Sequence, residues 1–145
     1  MHKQVISIGS DHAGFILKEK IRYFLESKSY KVNDCGCYSE ERADYPDFGH
    51  RVATDVENEV AGLGIVICGS GNGINMTANK HAGVRSALCW TEEIAKLARL
   101  HNDANVLALP ARFISGELAI KITEAFLGNE FEGGRHSDRV KKINC

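Results

Sequence analysis

The chain has 145 residues, 18 basic against 19 acidic side chains, a net charge of −1 and 43% hydrophobic residues. That length suits one domain over residues 1–145, able to bury roughly 70% of its unfolded surface without covalent staples. Balanced charge with no basic block argues against nucleic acid or membrane surfaces as partners. Five cysteines with no Cys-x-x-Cys pair argue against a disulfide framework or a zinc site.

The apolar run Val5-Ile6-Ser7-Ile8 is too short for a signal peptide or membrane span, so the expected location is the cytoplasm. Residues 5–9 read as a first strand, and 14–27 as a helix with Phe15, Ile16, Ile21, Phe24 and Leu25 near helical spacing. A short strand over 30–33 leads to a polar loop, where Pro46 disfavours helix before it and a helix over 47–58 follows. Ile65-Val66-Ile67 lies in a strand over 64–68 that looks buried on both faces, with a helix over 72–80 beyond it.

Residues 84–89 give a fourth strand. Thr91 is an N-cap type for a helix ending near His101, with Glu92 and Glu93 favourably placed at its positive end. A fifth strand covers 106–109, and Ser115 opens a helix through 127 that Gly128 terminates. The polar tail ends in a last helical turn. Strands alternating with helices predict an α/β fold: a Rossmann-like, three-layer α/β/α arrangement around a five-stranded parallel sheet. Ligands of such sheets bind beyond the carboxyl ends of the strands at a switch point, so Asp11-His12, Cys68 to Gly73, and Arg112 should meet at one edge.

Cys68-Gly69-Ser70-Gly71-Asn72-Gly73 places a thiol where a strand gives way to a glycine-rich loop. Glycines let backbone N–H groups converge on an anion, and a helix N-terminus favours thiolate over thiol, so the pair suits a base facing an anion cradle. A tight turn after a structural cysteine is the alternative. Ile74 breaks the dinucleotide pattern G-x-G-x-x-G and also stands where cysteine phosphatases carry arginine. The loop lacks the Gly-Lys-Ser/Thr ending of a P-loop as well.

Asp11-His12 is an acid and imidazole pair on the binding edge, or else a helix cap and a surface histidine. His101-Asn102-Asp103 can move protons near neutral pH, or else serve as a dipole partner at a helix end. Arg112, Arg135 and Arg139 suit bidentate phosphate contact, and Arg135 and Arg139 are spaced to share a helical face. His2, His50 and His81 read as structural or exposed. Cys35, Cys37 and Cys89 read as small core or loop residues.

Put together, these segments resemble the type B ribose-5-phosphate isomerases, within a wider family that includes allose and galactose 6-phosphate isomerases. The resemblance rests on Gly9-Ser10-Asp11-His12-Ala13-Gly14, Asp44-Tyr45-Pro46, Cys68 to Ile74, His101-Asn102-Asp103-Ala104-Asn105 and Glu132-Gly133-Gly134-Arg135-His136-x-x-Arg139. It implies interconversion of ribose 5-phosphate and ribulose 5-phosphate through a cis-enediol, without metal or cofactor, in the non-oxidative pentose phosphate branch. By position, Cys68 is implied as the base, Ser70 as the hydroxyl beside the reacting oxygens, and Gly69, Gly71, Asn72 and Gly73 as parts of the enediolate cradle. His101 with Asp11 is implied to open the furanose ring, Asn102 to hold a sugar hydroxyl, and Tyr45 to line the sugar site. His12, Arg112, Arg135 and Arg139 are implied as the phosphate clamp, while His136 has no implied role.

Some family members place a glutamate base at the position of Ile74, which cannot accept a proton. The cysteine mechanism is therefore expected here. Intact His-Asn-Asp and Gly-Gly-Arg-His-x-x-Arg segments favour the five-carbon sugar over galactose 6-phosphate, with allose 6-phosphate left open. A homodimer, or a dimer of dimers, with active sites shared between subunits is also implied.

Overall fold

In the computed structural model, residues 4–145 are described; Met1, His2 and Lys3 lie outside this range, so the reading of His2 falls outside it too. Five parallel strands, β1 (Val5–Ser10), β2 (Lys31–Asp34), β3 (Leu63–Cys68), β4 (Ser86–Leu88) and β5 (Val106–Pro110), form one sheet in the order β2-β1-β3-β5-β4. Six helices accompany them: α1 (Phe15–Ser27), α2 (Tyr45–Glu57), α3 (Asn72–Ala78), α4 (Glu92–Asn102), α5 (Gly116–Leu127) and α6 (Arg135–Lys141).

Side-chain alternation along the strands divides the core in two. Ile6, Ile8, Ile65, Ile67, Leu107 and Leu109 pack with Leu17, Ile21 and Leu25 of α1, Ala95 and Ala98 of α4, and Ala119, Ile122 and Phe126 of α5. Val66, Cys68, Val106 and Ala108 point to the other face, against Val52, Ala53 and Val56 of α2 and Ile74 and Ala78 of α3. All six residues of β3 are buried, as expected of a central strand covered on both sides. The three-layer α/β/α expectation is met.

Local chemistry fixes the helix starts. Thr91 Oγ1 accepts from the Ile94 amide at 3.1 Å, and Ser115 Oγ accepts from the Leu118 amide at 3.1 Å, each satisfying a donor that the first helical turn leaves free. Helix α2 begins at Tyr45 rather than 47. Proline is tolerated in a first turn because its missing N–H would lack an intrahelical acceptor there, and the extended Asp44 takes the N-cap position. Strand β4 is shorter than expected, three residues at the sheet edge, although the Cys89 amide still donates to Ala108 O at 3.0 Å beyond it. Gly128 ends α5 as expected, with φ −86° rather than a left-handed turn.

The chain winds outward from β1 to β2, then crosses to β3 on the other side of β1. The switch point is therefore the gap between the carboxyl ends of β1 and β3, carrying Ser10 and Cys68. Lys18, fully buried, supports the β1 end indirectly. Its ammonium meets Asp34 at 2.7 Å and Glu19 at 3.1 Å, Asp34 Oδ1 accepts from the Gly36 amide, and Gly36 O accepts from the Ser10 amide at 2.7 Å.

Candidate active site

Backbone hydrogen bonds at the end of β3 gather three chain segments. Ile67 O accepts from the Asp11 amide at 3.3 Å, Cys68 O from Ala111 at 2.9 Å, and Gly69 O from Arg112 at 3.0 Å. A cleft of about 530 Å³ results, lined by Asp11, His12, Ala13, Tyr45, Cys68, Gly69, Ser70, Gly73, Arg112 and Phe113. This volume suits a small metabolite. The expected meeting of Asp11-His12, the glycine loop and Arg112 at one edge is observed.

Each side chain there has a definable environment. Asp11 is buried, and its Oδ1 accepts from the Gly14 amide at 3.1 Å, capping a short 3-10 turn over His12–Gly14. The cap reading of Asp11 is thus realised, and its Oδ2 has no protein partner among the described residues. His12 Nδ1 engages the Ala43 backbone, 3.1 Å from its oxygen and 3.2 Å from its nitrogen, which leaves Nε2 uncommitted. Cys68 is buried at the cleft wall. Arg112 lies across Gly69 so closely that a Cβ there would come 3.1 Å from Nη1.

The loop itself depends on glycine. Gly71 has φ +77°, and a Cβ would approach Leu88 Cδ1 to 2.5 Å; a Cβ on Gly73 would meet the Tyr45 ring at the same distance. The Asn72 amide donates to Ser70 Oγ at 3.2 Å, while the Ser70 and Gly71 amides have no acceptor among the described residues. Gly73, in the first turn of α3, has no intrahelical acceptor either.

The remaining expected site residues lie elsewhere. His101 and Asn102 end α4, which crosses back from β4 to β5, so its C-terminus lies at the opposite, amino edge of the sheet. There a second cleft, of about 270 Å³, is lined by His101, Asn102, His136, Arg139, Val140 and Ile143. Asp103, left-handed at φ 48°, closes α4 and is held by Arg85 at 3.2 Å and Arg99 at 3.6 Å. Arg135 opens α6 and shares a face with Arg139 one turn on. Arg112, Arg135 and Arg139 are exposed and form no ion pair with a carboxylate among the described residues.

The Ribose/Galactose Isomerase family model matches residues 6–143. The chain belongs to that family. Ribose-5-phosphate isomerase B of Escherichia coli is 46% identical over 140 residues, 97% of this chain and 94% of the relative. A ribose 5-phosphate isomerase from Thermotoga maritima superposes with a TM-score of 0.97 at 47% identity, covering 99% of both chains. Ribose-5-phosphate isomerase B from Mycoplasma genitalium, solved with bound ribulose-5-phosphate, superposes at 0.93 with 47% identity over 98% of this chain and 95% of that one.

In this isomerase-family chain two features escape a reading of the sequence. Phe113, three-quarters exposed, joins the Cys68 cleft, and an exposed aromatic directly after the Arg112 loop position was the available signal. His136 stacks on His101, with ring centroids 4.2 Å apart and planes inclined by 15°. Together with Glu132 these rings form the one group of three metal-capable side chains among the described residues. Nearly parallel rings carry their in-plane lone pairs side by side rather than towards a common point, which is poor geometry for one ion. No helix among the described residues is long and apolar enough to cross a membrane.

Proposed function

We propose that this chain is an aldose-ketose isomerase that interconverts ribose 5-phosphate and ribulose 5-phosphate. The observation that carries it is the convergence of Cys68, the free loop amides, Asp11 and Arg112 on one cleft. Names borne by the relatives, and the ribulose-5-phosphate bound to one of them, point to the same pair of sugars.

Cys68 acts as the base, taking the proton from C2 of the open-chain aldose and returning it to C1, while the hydroxyl proton redistributes between O1 and O2. The negative charge that builds on those oxygens is met by the amides of Ser70, Gly71 and Gly73 and by the Ser70 hydroxyl. Such donors act most strongly when already fixed before charge develops. Glycine at 69, 71 and 73 lets the sugar approach the backbone, the Asn72 amide holds Ser70 Oγ in place, and Tyr45 walls the sugar site above Gly73. At the other end of the sugar, His12 Nε2 and Arg112 hold phosphate, and binding there orients the reacting carbons.

Ring opening needs a proton relay to the furanose oxygen, assigned to His101 with Asp11 Oδ2, and Asn102 holds a sugar hydroxyl. Because His101, Asn102, Arg135 and Arg139 lie at the far edge of their own chain, they reach the Cys68 cleft from a second copy. The working enzyme is then a homodimer, alone or as half of a dimer of dimers, with composite sites, and it works in the cytoplasm. The whole of residues 1–145 acts as one domain in this scheme, with no metal or cofactor required.

Steady-state rates with ribose 5-phosphate, allose 6-phosphate and galactose 6-phosphate test the substrate. The five-carbon sugar is expected to have the highest kcat/KM. Binding of all three without turnover would instead indicate a sensor.

A further inference from the structure

The imidazole of His101 makes no hydrogen bond with its own chain among the described residues; its ring contact is with His136. His136 is fixed on its side. It is buried, its amide donates to Gly133 O at 3.1 Å, and its Nε2 stands 3.8 Å from Glu132 Oε2. Glu132 is tied in turn to the end of α4, its amide donating to Leu100 O at 3.1 Å, one residue before His101. A side chain that must deliver a proton needs a defined orientation, and here the face of a second ring supplies it.

We propose that His136 is a positioning residue for His101, holding the ring-opening imidazole flat and aimed outward from the chain through face-to-face stacking. The proposal rests on the role assigned to His101 above. In this arrangement His136 is a platform and not a proton carrier. Burial holds its imidazole below the usual range, the neighbouring His101 ring and the Arg135 and Arg139 guanidiniums push the same way, and the Glu132 carboxylate opposes them. A neutral platform also avoids setting two imidazolium charges face to face, so His101 can accept a proton without that repulsion.

Replacing the ring separates the possibilities. His136→Ala and His136→Leu should lower kcat for ribose 5-phosphate by about tenfold or more with KM changed less than about twofold, whereas His136→Phe, which keeps a flat face, should recover most of the loss. Circular dichroism establishes that each protein is folded before rates are compared. If His136→Ala does not fold, the leucine and phenylalanine contrast reads the same quantity.

A phenylalanine protein as slow as the alanine or leucine one would overturn the proposal, because it would assign the effect to the ring nitrogens. A raised KM with unchanged kcat would overturn it in favour of a direct phosphate contact, and unchanged kinetics would reduce His136 to packing. His101→Ala serves as the control. If it leaves turnover intact, the role of His101 itself fails; if it abolishes turnover while His136→Ala leaves kcat unchanged, only the positioning role fails.

Discussion

Cys68 ends β3 at the carboxyl edge of the sheet, and His101 lies in the last turn of α4 at the amino edge, so two residues assigned to one reaction line different clefts of one chain. A strand of ordinary length separates the edges by about 17 Å, too far for a thiol and an imidazole to share a sugar. Two copies resolve this if the His101 cleft of each faces the Cys68 cleft of the other.

Complementation measures that arrangement. Cys68→Ala and His101→Ala proteins should each be inactive alone. Exchanged subunits in equal amounts should recover about a quarter of wild-type activity, since half the dimers are mixed and each mixed dimer has one intact site of two. No recovery after exchange verified by native mass spectrometry would place both residues in one chain's site.

Gly71 carries the turn between Cys68 and α3. At φ +77° a side chain is strained, and a Cβ would press on Leu88 Cδ1 and on the Leu109 backbone. Gly71→Ala should therefore cost about 2 kcal/mol or more of stability, read as a lower urea midpoint at unchanged m-value, and should lower kcat through displaced loop amides.

Acid should weaken the fold partly through His136. Its folded pKa is depressed, so as pH falls the unfolded chain takes up that proton first. The stability concerned is present above the ordinary imidazole value of about 6.5 and is lost as pH falls through the lower folded value. Between about pH 7.5 and about pH 5, the melting temperature of wild type should fall more steeply than that of His136→Phe. Parallel curves would show that His136 contributes nothing to the slope.

The cysteines should differ in reactivity. Burial pushes the thiols of Cys89 and Cys35 up to about 12, with the Asp55 carboxylate adding to the effect at Cys35, so both should resist iodoacetamide at neutral pH. Exposed Cys145 should label first without loss of activity. Inactivation should follow labelling of Cys68 and slow in the presence of ribose 5-phosphate, as peptide mass spectrometry with parallel assays would show.

Much of this was legible before the structure. Ile65-Val66-Ile67 announced a strand buried on both faces because nothing polar interrupts it, and the hydroxyls of Thr91 and Ser115 marked helix starts that the structure bears out. Pro46 misled by two residues, since the bias against helix before proline competes with its tolerance in a first turn, and the latter won once Asp44 took the cap. The carboxyl-edge half of the site could be foreseen, because strand ends in a parallel sheet share an edge whatever their order. The separation of His101 from Cys68 was legible too, since a helix joining two parallel strands must return to the amino edge, and the resemblance already implied sites shared between subunits. What was not legible is the stacking of His136 on His101, which depends on how α6 returns across the end of α4.

Solvent deuterium tests the central chemistry most directly. Ribose 5-phosphate incubated with the wild-type protein in deuterated water, followed by NMR, should give ribulose 5-phosphate carrying deuterium at C1, delivered by a base that exchanges with solvent. Folded Cys68→Ala should form that product at least about a hundredfold more slowly. Undiminished turnover by Cys68→Ala, or no turnover of any sugar phosphate by the wild-type protein, would contradict the assignment of Cys68 as the base of an isomerase.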